Sequence, residues 1–323
     1  MGKNEPTIYG PQSQLTRPVP PGGYAWWYVD ILSADRQLGM TVIFFIGSVF
    51  SPRYYRDRQR SVGKPLEHCG VNVALYRPGG DQWVMTHYGA QHVTQAPEQL
   101  TIGNNAIEPE GDRVRIQLDD RTAPFPRLTS QPLRGHIDLH LPCAPHTPVE
   151  LGEQHVWQPI APVAHADVHL TDPNLKFSGH AYHDFNAGSR GLEEDFVSWN
   201  WSRASDGDST RIVYDVSHRA APASRFGMQY NKDGTHEVSA PEDVRALKSG
   251  LWGVKRQLRT YADEQVTQVR SLEDSPFYTR SWLRTQRGGR TREVMHESID
   301  LNRYAQNWTR FLIGFRMRSG HRT

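Results

Sequence analysis

Side chains that could perform chemistry are concentrated near the middle of the chain, in residues 178–188. Side chains of a strand alternate between its two faces, so residues two apart share one face. One face of such a strand would carry an imidazole, a phenol, a carboxyl and an amide, from His180, Tyr182, Asp184 and Asn186. A row of this kind is typical either of a solvated sheet surface, which is the commoner case, or of the lining of a polar cavity.

A second polar pair lies upstream of this row. His155 and Trp157 are two residues apart and would also share a strand face. The two segments together offer a histidine, a tryptophan, a tyrosine and an aspartate that could converge, but spacing alone does not bring them together.

The usual signatures of cofactor-dependent enzymes are missing from the sequence. It contains no phosphate-binding Gly-rich loop with Lys, no dinucleotide fingerprint and no Gly-x-Ser-x-Gly elbow. Two His-x-Asp-x-His rows, at 136–140 and 165–169, use metal-ligand residue types, yet their alternation with aliphatic residues favours amphipathic strands. We therefore expect no metal and no cofactor, and a chemistry of acids, bases and aromatic faces.

Composition limits the class of protein further. The 323 residues include 9 Trp, 13 Tyr and 11 Phe, which are enough for a sizeable core. A net charge of +2 without basic blocks argues against a nucleic-acid partner, and two cysteines, Cys69 and Cys143, suit a reduced compartment. The first residues lack the apolar core of a signal peptide, and the longest apolar run, 40–50, is too short to span a bilayer. These features predict a soluble, cytoplasmic protein.

Short strands must position the polar residues. Runs rich in aromatic and β-branched residues recur from Tyr24 onward, separated by Gly, Pro and Asp turns, a pattern typical of sandwiches and barrels. The best helix candidate is Asn302–Phe311. Residues 1–20 read as an extended tail, and strand-rich halves on either side of 150–190 fit two packed barrels. An all-β fold is the prediction.

Long motifs in this chain closely resemble one enzyme family. They are Pro21–Asp30, Phe45–Pro52, His68–Tyr76, Trp157–Pro162, residues 178–188, Trp199-x-Trp201, Ser275–Tyr278 and Glu297–Met317. In these motifs the chain resembles the carotenoid 1,2-hydratases of phototrophic bacteria, also called hydroxyneurosporene synthases or acyclic carotenoid hydratases. The wider lipocalin-like superfamily often has Gly-x-Gly-Tyr-x-Asp-His at the central motif. Here Ala181 replaces the second Gly and no His follows Asp184, which favours the hydratase branch.

The resemblance implies a fold and an activity. It implies two lipocalin-like antiparallel β-barrels packed side by side, at 21–187 and 188–323, with a boundary somewhere within 150–190. It also implies cofactor-independent addition of water across the C1–C2 double bond of neurosporene, lycopene or related ψ-end carotenes. The family's site positions match His155, Trp157, Tyr182 and Asp184.

The implied reaction suits these residue types. Asp184 is the best proton donor to C2, provided that it holds its proton near neutral pH, and burial of a carboxyl raises its pKa. Trp157 and Tyr182 could stabilise the resulting tertiary cation, and His155 could hydrogen-bond Asp184 or deprotonate the attacking water.

Further residues have supporting roles in this interpretation. His180 and Asn186 remain supporting candidates for substrate binding. Trp199 and Trp201 could line the substrate channel, and a packed core role is equally compatible with the sequence.

The substrate also implies a membrane partner. Carotenes dissolve in membranes, so contact with the photosynthetic inner membrane is expected. The aromatic residues around Trp26-Trp27 and Tyr54-Tyr55 could form the contact. A better explanation of Trp26 and Trp27 is that they lie on opposite faces of a strand, one packed in the core and one at a domain seam. The oligomeric state is left open. A related terpenoid cyclase or pericyclase, and a non-catalytic carrier of a hydrophobic ligand, are the alternative functions.

Overall fold

The computed structural model describes residues 14–124 and 129–320. The chain divides into two compact units, of which the first comprises Met1–Gly191 and Phe311–Thr323 and the second comprises Leu192–Arg310. Of the expected tail at 1–20, residues 1–13 lie outside the described residues. The all-β prediction is confirmed, because strands dominate both units. The assignment of each half to a closed barrel stays a prediction.

Unit 1 is built on one sheet of thirteen strands. The strands are β1 (Tyr24–Ser33), β2 (Gly39–Ile46), β3 (Cys69–Tyr76), β4 (Gln82–Tyr88), β5 (Val93–Ala96), β6 (Gln99–Ile102), β7 (Asn105–Glu110), β8 (Arg113–Arg121), β9 (Pro132–His140), β10 (Val149–Gly152), β11 (His155–Asp172), β12 (Leu175–Gly188) and β22 (Arg318–Ser319). Helix α1 (Pro52–Gln59) and two 3₁₀ turns, Pro65–His68 and Ala90–His92, interrupt them.

The sheet of unit 1 curls round a core. Its strand order is β22-β4-β3-β2-β1-β12-β11-β9-β8-β7-β6-β5, with β10 paired to β11. Strands far apart in this order meet across the curl, as the hydrogen bond of 2.7 Å from Thr86 Oγ1 on β4 to Asp120 Oδ1 on β8 shows. Aliphatic and aromatic residues from one face of most of these strands form a single buried cluster. The long strands β11 and β12 stand in the middle of the order, next to β1.

Unit 2 has a seven-stranded sheet and a separate two-stranded one. The first has the order β16-β15-β14-β13-β21-β20-β19, and the second pairs β17 with β18. The strands are β13 (Phe196–Ser205), β14 (Ser209–His218), β15 (Ser224–Asn231), β16 (His236–Val238), β17 (Asp243–Ala246), β18 (Gln257–Thr260), β19 (Gln265–Asp274), β20 (Tyr278–Arg287) and β21 (Arg290–Asp300).

Three helices complete the described elements. They are α2 (Leu192–Asp195), α3 (Leu301–Tyr304) and α4 (Asn307–Arg316). The single helix predicted over Asn302–Phe311 is therefore wrong in its bounds. Asp300 caps α3 by accepting a hydrogen bond from the Arg303 amide. The helix is interrupted at residues 305–306, and α4 continues to Arg316. In the described part of the chain, no helix is long and apolar enough to cross a membrane.

Candidate active site

The carboxyl group of Asp184 is the centre of a buried hydrogen-bond cluster. Its Oδ2 accepts from the Tyr182 hydroxyl at 2.6 Å and from the indole N–H of Trp157 at 2.8 Å. Its Oδ1 accepts from Nδ2 of Asn186 at 3.1 Å. The same indole N–H also lies 3.2 Å from the Tyr182 oxygen. All four side chains are buried, so three donors converge on one carboxyl away from bulk water.

Strand pairing explains why these side chains meet. Tyr182, Asp184 and Asn186 alternate along β12 and share one face, as the sequence predicts. Trp157 on β11 is directly opposite Asn186, which brings its indole onto the same face. The register of β11 against β12 shifts twice, between Pro159 and Ala164, next to this cluster. Bulges of this kind re-aim side chains and often lie beside active sites.

His155 belongs to a second polar pair at the end of these strands. Its Nδ1 lies 2.9 Å from the hydroxyl of Tyr24 on β1, and both side chains are buried. Gly188 is the register partner of both residues. A Cβ at this glycine would lie 2.6 Å from the Tyr24 ring and 2.7 Å from His155 Nδ1. The absence of a side chain at 188 is therefore what lets the pair form.

Strand β1 supplies site residues that sequence reasoning missed. Tyr28 is paired with Asp184, and Asp30 is paired with Tyr182, so both side chains lie on the face of the cluster. The Tyr28 ring stands edge-on to that of Tyr182, with centroids 6.0 Å apart. Asp30 is completely buried and adds a second carboxyl to the face. The two-residue alternation of polar and aromatic side chains in 24–30 was the available signal.

The cluster lies on the face of the sheet opposite the hydrophobic core. Ala181, Phe185 and Ala187, which alternate with the site residues along β12, belong to the core cluster of unit 1. Tyr182, Asp184 and Asn186 therefore point away from this core. These three side chains are buried on the outer face of the curled sheet.

A neutral histidine stands directly behind the carboxyl. His183 points to the core face, and burial lowers its pKa to about 4. Its Nδ1 lies 2.9 Å from the carbonyl oxygen of Tyr28, which can only accept, so Nδ1 carries the proton. His183 thus ties β12 to β1 behind the site without adding charge.

The remaining predicted residues have different surroundings. His180 shares the strand face but is exposed, so it is not part of the buried cluster. Trp199 and Trp201 lie on β13 of unit 2, where Trp199 packs against Phe196 and the buried Trp201 against Tyr214. Those contacts are compatible with a packing role, and a place for the two tryptophans in the substrate channel stays a prediction.

The aromatic residues considered for membrane contact are mostly buried. Trp27 and Tyr54 are at most 1% exposed, and Trp26 stacks on Tyr24. The packing role that the sequence favoured fits these positions.

The two His-x-Asp-x-His rows form amphipathic strand faces. Ile137 and Leu139 on β9 and Ala166 and Val168 on β11 belong to the core, while the polar residues face outward. There His140 Nε2 lies 3.0 Å from Asp167. Among the described residues, no group of three or more His, Cys, Asp or Glu side chains is arranged to hold a metal ion.

A cavity of about 430 Å³ opens beside the Tyr24–His155 pair. Tyr24, His155 and Gly188 line one part of it, and Arg17 and Phe185 line another, with the guanidinium of Arg17 5.9 Å from the Phe185 ring centroid. The cavity gives a small polar group such as water a place next to the imidazole.

The chain combines an all-β fold, a buried carboxyl with several hydrogen-bond donors, and a histidine–tyrosine pair on the same strands. These groups are of the types that perform acid–base catalysis. The family model for the carotenoid hydratase CrtC matches residues 42–323. The chain therefore belongs to the carotenoid hydratase family, and it is an enzyme of the hydratase class.

Curated relatives agree with this assignment. The acyclic carotenoid 1,2-hydratase of Thiocapsa roseopersicina is 39% identical over 312 residues, covering 95% of this chain and 75% of the relative. The enzyme of the same name from Rubrivivax gelatinosus is 34% identical over 309 residues, covering 94% of this chain and 75% of the relative.

Solved structures share the fold at low sequence identity. An AttH-type protein of Nitrosomonas europaea superposes with a TM-score of 0.62 at 15% identity, covering 93% of this chain and 98% of that one. CghA bound to Sch210972 superposes with a TM-score of 0.60 at 12% identity, covering 92% and 94%. At these identities the likeness concerns the fold alone.

Proposed function

We propose that the protein adds water across the terminal C1–C2 double bond of an acyclic carotenoid, such as neurosporene, lycopene or a related ψ-end carotene, to give a 1-hydroxy carotenoid. The observation that carries this proposal is the buried carboxyl of Asp184 with its three donors. Membership of the carotenoid hydratase family supplies the reaction class.

Asp184 is the proton donor in this proposal. The Tyr182 and Trp157 donors both point to Oδ2, so in this proposal the acidic proton is carried by Oδ1. The alkene π electrons take this proton at C2, which leaves a tertiary cation at C1 and a carboxylate on Asp184. Burial favours the neutral acid before the transfer, and the three fixed donors stabilise the carboxylate as it forms.

Aromatic side chains surround the carboxyl on the same face. Trp157, Tyr182 and Tyr28 would offer electron-rich faces to the cation, each worth about 2 kcal/mol when desolvated. A hydrogen bond supports a second role for Trp157, which the sequence did not predict. Its N–H is directed at Oδ2 of Asp184, so the indole orients the acid as well.

The Tyr24–His155 pair would activate the water. If Nδ1–H donates to the Tyr24 oxygen, Nε2 keeps its lone pair and can take a proton from the water as the O–C1 bond forms. Return of one proton to Asp184 completes the cycle. The sum is one alkene plus one water, with no electrons gained or lost.

The test is turnover in water enriched in heavy oxygen. Purified protein with lycopene or neurosporene in detergent should give a labelled 1-hydroxy product. Asp184→Asn should lower the rate at least about a thousandfold, because an amide cannot donate the acidic proton. Asp167→Asn, a carboxyl change on the outer surface of β11, is the matched control and should keep the wild-type rate.

Other outcomes would select another function. Full activity of Asp184→Asn would exclude Asp184 as the acid. An unlabelled isomer would indicate a cyclase or pericyclase, and binding without turnover would indicate a carrier.

A further inference from the structure

Helix α4 carries its aromatic side chains on the outside. Trp308, Phe311, Leu312 and Phe315 follow the i, i+3, i+4, i+7 spacing of one helix face. Trp308, Phe311 and Phe315 are 47%, 67% and 55% exposed, whereas Thr309 on the other side is buried. A helix on a soluble surface normally turns its polar face outward, so this aromatic stripe (Trp308, Phe311, Leu312 and Phe315) reverses the usual pattern.

Within unit 2, the loop at 247–256 packs against Trp308, the first residue of the stripe. The Trp252 ring stacks on that of Trp308 with centroids 6.2 Å apart, and Leu251 beside it is 91% exposed. Arg303 donates to the Trp252 carbonyl oxygen at 2.5 Å, which holds the loop in place. In the described part of the chain, every exposed Trp and Phe lies either in this loop or in α4.

The charged residues within helix α4 and within the loop are all basic, and the carboxylate of Asp274 outside the loop accepts from the Leu251 amide. Helix α4 contains Arg310 and Arg316 and no acidic residue. The loop contains the exposed Lys248 and Lys255 and likewise no acidic residue. Tryptophan and phenylalanine on a helix whose charged residues are all basic is the composition of elements that lie in the headgroup region of anionic membranes.

We propose that the aromatic stripe of the continuous helix α4 docks onto the surface of an anionic lipid bilayer. The apolar side chains enter the boundary between headgroups and acyl chains, and the basic side chains contact the phosphates. The reason for such docking rests on the proposed function, because a carotenoid dissolved in the bilayer must be taken from it. The binding itself does not depend on turnover.

Flotation with vesicles tests the docking. The protein should bind vesicles of phosphatidylcholine mixed with phosphatidylglycerol, bind phosphatidylcholine vesicles less, and lose binding as salt is raised. The double variant Phe311→Ser/Phe315→Ser should weaken partitioning at least about tenfold through the loss of buried apolar area. Phe311→Ser alone, at a side chain that is 67% exposed and contributes little to folding, should weaken it in the same direction. Val238→Ser removes a 79% exposed apolar side chain from β16 and should change nothing.

Two activity assays separate this proposal from the proposed function. The double variant should hydrate a carotenoid in detergent at the wild-type rate, and a carotenoid embedded in vesicles at least about tenfold more slowly. Lack of turnover by the wild type in detergent would refute the proposed function and leave the flotation result standing. Unchanged flotation of the double variant would refute the docking surface. If gel filtration showed that the double variant only dissociates a dimer, and flotation were unchanged, the docking surface would likewise be refuted.

Discussion

His183 makes the stability of unit 1 depend on pH. In the folded protein its pKa is lowered to about 4 by burial, from 6.5 for a free side chain. As the pH falls below 6.5, His183 takes up a proton in the unfolded chain but not in the folded one. The stability that the neutral His183 contributes is therefore present above pH 6.5 and is lost on acidification. Between pH 7 and pH 5 the two pKa values give a loss of about 2 kcal/mol in the free energy of unfolding from this residue alone.

The variant His183→Asn isolates this contribution. An asparagine amide can still donate to the Tyr28 carbonyl oxygen, but it does not titrate. The variant is less stable overall because the ring is lost, and its stability should fall by about 2 kcal/mol less than that of the wild type between pH 7 and pH 5. His87 and His296, whose pKa values burial also lowers to about 4, remain in both proteins and cancel in the difference.

Cys69 reports the unfolding of unit 1. It is completely buried on β3, so it reacts only when this unit opens. Its labelling by a dipyridyl disulfide, which reacts at low pH, can be followed against urea at the two pH values, with mass spectrometry separating it from Cys143. Equal pH dependence in the wild type and in His183→Asn would refute the reasoning, since the imidazole would then not be the proton acceptor.

Two further predictions concern the site. Trp157→Phe keeps an aromatic face and removes the N–H that donates to Asp184, so the hydration rate should fall about 10- to 100-fold, which is the effect of losing a hydrogen bond to a charged group. Tyr182→Phe removes the other donor to the same oxygen and should lower the rate by a similar factor. A wild-type rate in either variant would show that these donors do not affect the acid. Tyr24→Phe should lower the rate about tenfold at neutral pH and shift its pH profile, because His155 loses its hydrogen-bond partner; a lower rate with an unshifted profile would indicate a purely structural role for Tyr24.

The alternation of side chains along a strand was the main basis for predicting the site from the sequence. The two-residue spacing put Tyr182, Asp184 and Asn186 on one face, and the structure confirms that they share it. The same rule does not tell which face of the sheet packs on the hydrophobic core, because alternation treats both faces alike until the core is known. His180 obeys the alternation, yet it lies in the part of β12 that reaches beyond the buried region.

Contacts across the sheet were out of reach of the sequence. Tyr24, Tyr28 and Asp30 join the site because β1 pairs with β12, which follows it by about 150 residues. The register shifts in β11, which set Trp157 opposite Asn186, coincide with Pro159 and Pro162; prolines in a strand indicate a bulge but not the resulting register. Likewise, the sequence predicted a helix near Asn302, but not that α4 would turn its aromatic side outward.

The parallel pairing of β22 with β4 has a consequence for synthesis of the chain. Arg318 and Ser319 are the register partners of Thr86 and His87, and the guanidinium of Arg318 lies 3.5 Å from Asp120 on β8. All of Leu192–Arg310 must leave the ribosome before this last strand can reach its place. Until then β4 is an open sheet edge, the kind of edge on which nascent chains associate. Strand β22 is therefore the last to cover this edge, and a ribosome that stalls within unit 2 would release a product with that edge unpaired.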